Sequence, residues 1–163
     1  MANKAVSNTG PLLHLKEIEA LNLLSIFDFV FIPNEVAEEL KEKKFMIVRK
    51  IKVKSLDTKF KYLSNLLSIK FDIGLAEVEA IALAMQEKAD YFLTDDLDVR
   101  SVANSYNIEV HGTIGTVLRA FREKIIDEKT TISNINRLYA NSSLFLTKEL
   151  ISQVIGSIKQ FRR

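Results

Sequence analysis

Four short apolar runs, residues 4–7, 28–32, 90–94 and 108–110, alternate with longer stretches in which apolar positions return every three or four residues. Runs of that length suit strands covered on both faces, and the longer period suits the helices that cover them. The pattern predicts an α/β fold: three α/β/α layers around a mainly parallel sheet of four to five strands. Cap-type residues or a first-turn proline mark helix starts at Gly10-Pro11, Pro33-Asn34, Asp57-Thr58, Gly74, Asp95-Asp96 and Thr113. Ile51 and Val53 alternate with Lys50, Lys52 and Lys54, as in an edge strand whose lysines discourage further pairing. The tail sets Leu150, Ile151, Val154, Ile155, Ile158 and Phe161 on one helical stripe. The expected division is a core over 1–125 and a helical extension over 126–163, packed on the same domain or on a partner chain.

Composition narrows the chemistry. The 163 residues are 47% hydrophobic and 27% charged with 5 Gly and 2 Pro, too apolar for disorder. No run approaches the ~18 apolar residues of a membrane span, so no membrane partner and a soluble cytoplasmic protein are expected. The absence of cysteine removes disulfides, thiolate zinc sites, iron–sulfur clusters and Cys nucleophiles. His14 and His111, far apart in the chain, read as structural or surface residues, so any metal here is to be held by oxygen. The net charge is only +2, yet residues 41–61 hold nine basic side chains against Glu42 and Asp57, a local +7 that leaves −5 for the rest. Lys43, Lys44, Arg49, Lys50, Lys52 and Lys54 are therefore candidates for contact with a nucleic-acid backbone, besides their edge-strand reading.

In parallel sheets ligands bind beyond the carboxyl ends of the strands. Two exits stand out: Ser7-Asn8-Thr9-Gly10 and Thr94-Asp95-Asp96-Leu97-Asp98. One carboxylate caps a helix; three within four residues gather charge that a cation would offset, and oxygen donors suit Mg²⁺ or Mn²⁺. On the helix after Pro33, Glu39 lies about 105° from the centre of the apolar stripe, nearer the buried face than Glu35 or Glu38. In the stretch from Gly74 to Ala84, Glu77 and Glu79 flank the stripe on opposite sides, and periodicity does not choose between them. Each acid also has a plain structural role open to it: Glu77 as an N3 residue reaching back to its cap, Glu39 as a solvated surface acid.

Five segments in order, Val6-Ser7-Asn8-Thr9-Gly10-Pro11-Leu12, Ile32-Pro33 with Val36 and Glu39-Leu40, Gly74 to Ala84, Leu93-Thr94-Asp95-Asp96 and Gly112-Thr113-Ile114-Gly115, give the chain a likeness. It resembles the PIN-domain family, the nuclease fold of VapC-type toxins and ribosomal RNA maturation enzymes, and within it a stand-alone branch of uncharacterised PIN-like proteins. The resemblance implies a metal-dependent ribonuclease using Mg²⁺ or Mn²⁺, with RNA as substrate and with an antitoxin protein or a homodimer among the partners to look for. Carried over by position, it implies a pocket of Asn8, Glu39, Glu77 and Asp96, with Asp98 as a further ligand and Ser7, Thr9, Thr94 and Asp95 in support. One departure is visible: active nucleases of the family usually carry Asp where this chain has Asn8, which keeps a carbonyl oxygen but loses a charge. A PIN-fold module that binds RNA or protein without cleaving is the alternative. A haloacid-dehalogenase-like phosphatase, suggested by Asp96-Leu97-Asp98 after an apolar strand, fits less: Arg100 stands where that motif wants Thr or Val.

Overall fold

A computed structural model describes residues 3–161; residues 1–2 of the expected core and 162–163 of the expected extension lie outside the described residues. Five parallel strands form one sheet: β1 (Lys4–Ser7), β2 (Phe29–Ile32), β3 (Ile51–Val53), β4 (Tyr91–Leu93) and β5 (Val110–His111), in the order β3-β2-β1-β4-β5. The helices are α1 (Thr9–Glu17), α2 (Asn34–Glu42), α3 (Thr58–Lys70), α4 (Leu75–Gln86), α5 (Leu97–Ser105), α6 (Thr113–Arg122), α7 (Glu128–Asn141) and α8 (Lys148–Gln160), with a short 3-10 segment at Leu21–Ile26. The central strand β1 pairs Val6 with Phe31 on one side and Phe92 on the other, and Ala5, Val6 and Ser7 are fully buried. Apolar residues on both faces of this strand meet helices, which is why its run reads as continuous rather than alternating. α7 packs on α1 and α6, and α8 on α7, so Ile135, Leu138, Ile151 and Ile158 join the same buried cluster as the sheet.

The last strand starts two residues later than the apolar run suggests. Asn107 takes a left-handed conformation (φ 61°) and the Ile108 N–H returns to the Ala103 carbonyl, so Ile108 closes the end of α5 instead of opening β5. Glu19, Lys44, Lys88 and Lys124 end α1, α2, α4 and α6 the same way, which is how a chain with few glycines stops its helices.

One buried carboxylate ties three elements together where the sheet meets its helices. Asp95 Oδ1 accepts the Thr113 N–H (2.7 Å), Asp95 Oδ2 accepts the Thr113 hydroxyl (2.5 Å), and Asp95 Oδ2 also bonds His14 Nδ1 (2.7 Å). Burial alone would push the Asp95 carboxyl up, but the bonds from His14 and Thr113 outweigh it and hold it below the usual range. On the far side of the sheet, Lys54 Nζ meets Glu87 Oε1 at 2.6 Å and lies over the Phe31 ring, joining the end of β3 to the end of α4. Burial works to raise the Glu87 carboxyl, and the hydrogen bonds from Lys54 and Gln86 overcome it, leaving it lowered.

Asp95→Asn keeps the shape but cannot accept all three donors, so urea unfolding at neutral pH is expected to show a loss of about 2 kcal/mol; a loss below about 0.5 kcal/mol would mean that the bridge is dispensable. Lys54→Met tests the other tie. Because the folded Glu87 carboxyl is lowered, its contribution is complete above the ordinary carboxylate range and disappears as pH falls through the folded value. Lys54→Met is therefore expected to cost about 0.5–1 kcal/mol at pH 7 and close to nothing at about pH 3. Equal losses at the two pH values would remove the ionic part of the argument.

Candidate active site

Chain direction decides where chemistry can gather. After β1 the chain builds β2 and β3 on one side, then crosses back to lay β4 and β5 on the other, so the carboxyl ends of β1 and β4 flank a reversal of strand order. Helices leave such a point in opposite directions and a crevice opens between them. Asn8 and Thr94 are the first residues beyond these two strands. The Asn8 N–H donates to the Leu93 carbonyl (2.9 Å) and Asn8 Nδ2 donates to Thr94 Oγ1 (2.9 Å), which stitches the two exits together.

The cleft above this stitch has a volume of about 910 Å³, and Asn8, Thr9, Glu39, Glu77, Thr94, Asp95 and Asp96 all line it. Asn8 is only 6% exposed, and its Oδ1 is buried with no hydrogen-bond donor. A buried, unpaired amide oxygen is costly unless something electropositive meets it. Glu39 reaches in from α2 and is held by the Thr9 hydroxyl on Oε2 (2.5 Å), leaving Oε1 free. Asp96 caps α5, its Oδ1 accepting the Asp98 and Val99 N–H groups at 2.8 and 3.1 Å, and its Oδ2 is free. Glu77, in the first turn of α4, folds its carboxylate over Gly74, where any Cβ would collide with it. Ser7 donates its hydroxyl to the Asn8 carbonyl (2.8 Å), and Thr94 Oγ1 also accepts the Asp96 N–H (3.2 Å), so both hydroxyls fix backbone around the cleft.

These oxygens are hard donors of the kind Mg²⁺ or Mn²⁺ takes, and the unpaired Asn8 Oδ1 among them fits such an ion. Among the described residues, however, no three acids or imidazoles stand close enough to share one metal. The acids ring the cleft without closing on a point. Free oxygens on Glu39, Glu77, Asp96 and Asn8 are the ones an ion could draw inward.

Eight expected residues fall elsewhere or serve another purpose. Asp98 lies in a separate hollow with Phe71, Asp72 and Ile73, because α5 turns it away from Asp96. Asp95 lines the cleft but is committed on both oxygens to His14 and Thr113. Lys54 is engaged with Glu87. The remaining basic residues are not beside the acids: Arg49, Lys50 and Lys52 line a hollow with Asp28 and Phe29 at the entry end of β2. Lys43 and Lys44 follow α2, whose nine residues carry the chain about 13 Å back from the strand exits.

Other residues of the cleft lie outside the expected set. His14 joins through its bond to Asp95, a partner 81 positions away. Gly112 is needed because a Cβ there would stand 2.8 Å from Asp95 Oδ1 and 3.1 Å from Arg100 Nη2. Arg100 could have been placed by helical spacing, one turn beyond Asp96 on α5. His111 rests on the Tyr91 ring with 4.9 Å between centroids. Burial pushes its imidazole pKa down; Glu109 opposes this, and Arg119, Arg122 and Arg100 reinforce it. Arg100 and His111 line the β5 side of the cleft, and the acids line the exits of β1 and β4.

Comparison with known proteins bears on the fold and the family. No curated protein matches the chain. Among solved structures it is similar to a PilT N-terminus domain protein from the hyperthermophilic archaeon Sulfolobus solfataricus P2, at 16% identity and a TM-score of 0.56, over 72% of this chain and 93% of that one. That likeness shows the fold. The family model described as DUF3368: PIN domain matches residues 4–160, nearly the whole chain, and with the sheet order and the acid-lined reversal point already in place, the chain belongs to the PIN-domain family.

Proposed function

We propose that this protein is a divalent-metal-dependent ribonuclease acting at the cleft between β1 and β4. The observation that carries the reading is the buried, unpaired Asn8 Oδ1 at the reversal of strand order, in a cleft shared with Glu39, Glu77 and Asp96. PIN domains are commonly nucleases and typically use divalent metals, and this donor set is of the right chemistry. A bound Mg²⁺ or Mn²⁺ would supply Lewis-acid polarisation of a phosphoryl oxygen and a more acidic water.

The chain's own residues set the conditions. Three carboxylates around one cleft repel a phosphodiester, so phosphate enters only once part of that charge is offset. Thr9 orients Glu39, the start of α5 orients Asp96, Ser7 fixes the backbone that carries Asn8, and Thr94 holds the Asn8 side-chain amide and the Asp96 N–H. Hydrolysis then adds water across a P–O3′ bond, leaving a 5′ phosphate and a 3′ hydroxyl. A toxin–antitoxin role, an antitoxin partner and a homodimer belong to this proposal as partners to be sought. The phosphatase alternative loses its support, since the chain belongs to the PIN-domain family and Asp96 and Asp98 line different hollows.

Mn²⁺ is expected to raise the melting temperature of the wild-type protein and to support cleavage of a labelled RNA that chelator stops. In Asp96→Asn, both effects are expected to fall, cleavage by about a hundredfold or more. Turnover that survives in chelator, or that is unchanged in Asp96→Asn, would remove the metal site from the account; stabilisation without any cleavage would favour the binding module. Asn8 offers a further test because it lacks a charge that carboxylate would bring. Asn8→Asp is expected to tighten Mn²⁺ binding about tenfold or more, read by calorimetry, while lowering stability in chelator, where a buried carboxylate has no counter-ion. Equal Mn²⁺ affinity in the two proteins would place Asn8 outside the metal's reach.

A further inference from the structure

Above its acidic floor the cleft has an apolar rim. The loop from 142 to 147 alternates, with Leu144 and Leu146 partly buried and Phe145 turned out at 88% exposure, more than any other large apolar side chain among the described residues. This loop is held at both ends. The Glu17 carboxylate accepts the Ser143 N–H (3.2 Å) and hydroxyl (2.8 Å), Ser142 Oγ donates to the Leu138 carbonyl (2.5 Å), and Thr147 caps α8 through the Leu150 N–H (3.2 Å). The ring is thus held in water by a loop tied at both ends, at the cost of the burial an apolar side chain favours. Leu97, beside Asp96 and 77% exposed, lines the same cleft.

The second feature is Arg100. It lines the cleft with the acids and Phe145, and its Nε is buried without an acceptor. Among the described residues no acid stands within ion-pairing distance of it. A buried guanidinium N–H without an acceptor, on a residue that lines the cleft, calls for an anionic oxygen from outside the chain. One ligand chemistry meets both demands: a phosphate for the guanidinium and a flat unpaired base for the exposed ring.

We infer that Phe145 is a base-stacking platform and Arg100 a phosphate grip, so that a strand in the cleft places one phosphate against Arg100 and a neighbouring base on the Phe145 ring. The inference rests on the nuclease reading for the identity of that strand. It adds a consequence for substrate form. Bases stacked inside a duplex offer no free face, so the platform serves unpaired segments only.

The chain contains no tryptophan, so Phe145→Trp installs a single indole at the platform. Titration uses a single-stranded oligoribonucleotide in Ca²⁺, with its integrity checked on a gel. Indole emission is expected to be quenched by the single strand and to stay level with the same sequence annealed to its complement. By anisotropy, Phe145→Ala should weaken binding about tenfold, and Arg100→Gln should weaken it and lower the salt slope by about one. Equal affinity of Phe145→Ala and wild type, equal quenching by duplex, or no binding by wild type would overturn the platform. So would self-association lost in Phe145→Ala without any change in RNA affinity, since that result assigns the ring to a protein interface. A parallel cleavage assay in Mn²⁺ separates the two readings. Phe145-dependent binding without cleavage keeps the platform and removes the nuclease, whereas cleavage with Phe145-independent binding does the reverse.

Discussion

Strand order reverses between β1 and β4, and the two hydrogen bonds from Asn8 that bridge this seam set the position of everything around it. Without the reversal the helices after β1 and β4 would lie on the same path and leave no crevice. Without the bond from Asn8 Nδ2 to Thr94, the two exits would meet only through the single backbone bond to Leu93. The seam also explains why the chemistry uses residues distant in sequence: α1, α2, α4 and α5 all begin at the same rim of the sheet, and each delivers one polar side chain from its first turns or its cap.

Each acid at this rim has two oxygens and uses them unequally. Asp95 spends both on His14 and Thr113, and serves as a brace. Glu39 and Asp96 spend one each, on the Thr9 hydroxyl and on the cap of α5, and keep one. That division is physically economical, because the structural bond fixes the carboxylate's direction while the other oxygen stays available for a ligand. It also separates neighbours that look alike in the sequence. Asp95, Asp96 and Asp98 lie within four consecutive positions, yet a brace, a cleft donor and a residue of another hollow result, because the turn from β4 into α5 points successive side chains in different directions.

Much of the architecture was legible in the sequence because its signals are local. The short apolar runs gave four of the strands within a residue or two, and the alternating Ile51 and Val53 gave the edge strand. Where the reading slipped, at Ile108, the apolar residue served a helix end, a use that hydrophobic pattern cannot distinguish from a strand. For the site, helical phase brought Glu39 to the margin of the buried face, and strand-exit position marked Asn8 and Asp96; Glu77 was separated from Glu79 by resemblance to a family, not by periodicity. What depended on tertiary approach stayed hidden. Nothing local marks the bond of His14 to Asp95 or the place of Phe145 over the cleft. The place of the basic stretch from Lys43 to Lys52 was hidden for the same reason: charge in sequence says nothing about which end of a helix or strand carries it, and here Arg49, Lys50 and Lys52 line a hollow away from the cleft.

The charge arrangement that remains at the cleft argues for a division of labour between its two sides. An all-acid cleft would hold a cation and exclude a phosphate; an all-basic one would hold the phosphate with no means of activating water. Here Glu39, Glu77 and Asp96 stand at the exits of β1 and β4, while Arg100 lines the cleft and Arg119 and Arg122 are close enough to His111 on β5 to depress its pKa. Asn8, at the seam, carries no charge and leaves an oxygen unpaired. Replacing an expected Asp by Asn reduces the repulsion that a phosphate meets on approach, and it weakens the hold on a cation by the same electrostatic logic. On the proposed nuclease reading, the acid count at the seam would trade ion affinity against access for the strand, with the unpaired Nε of Arg100 on the access side of that balance.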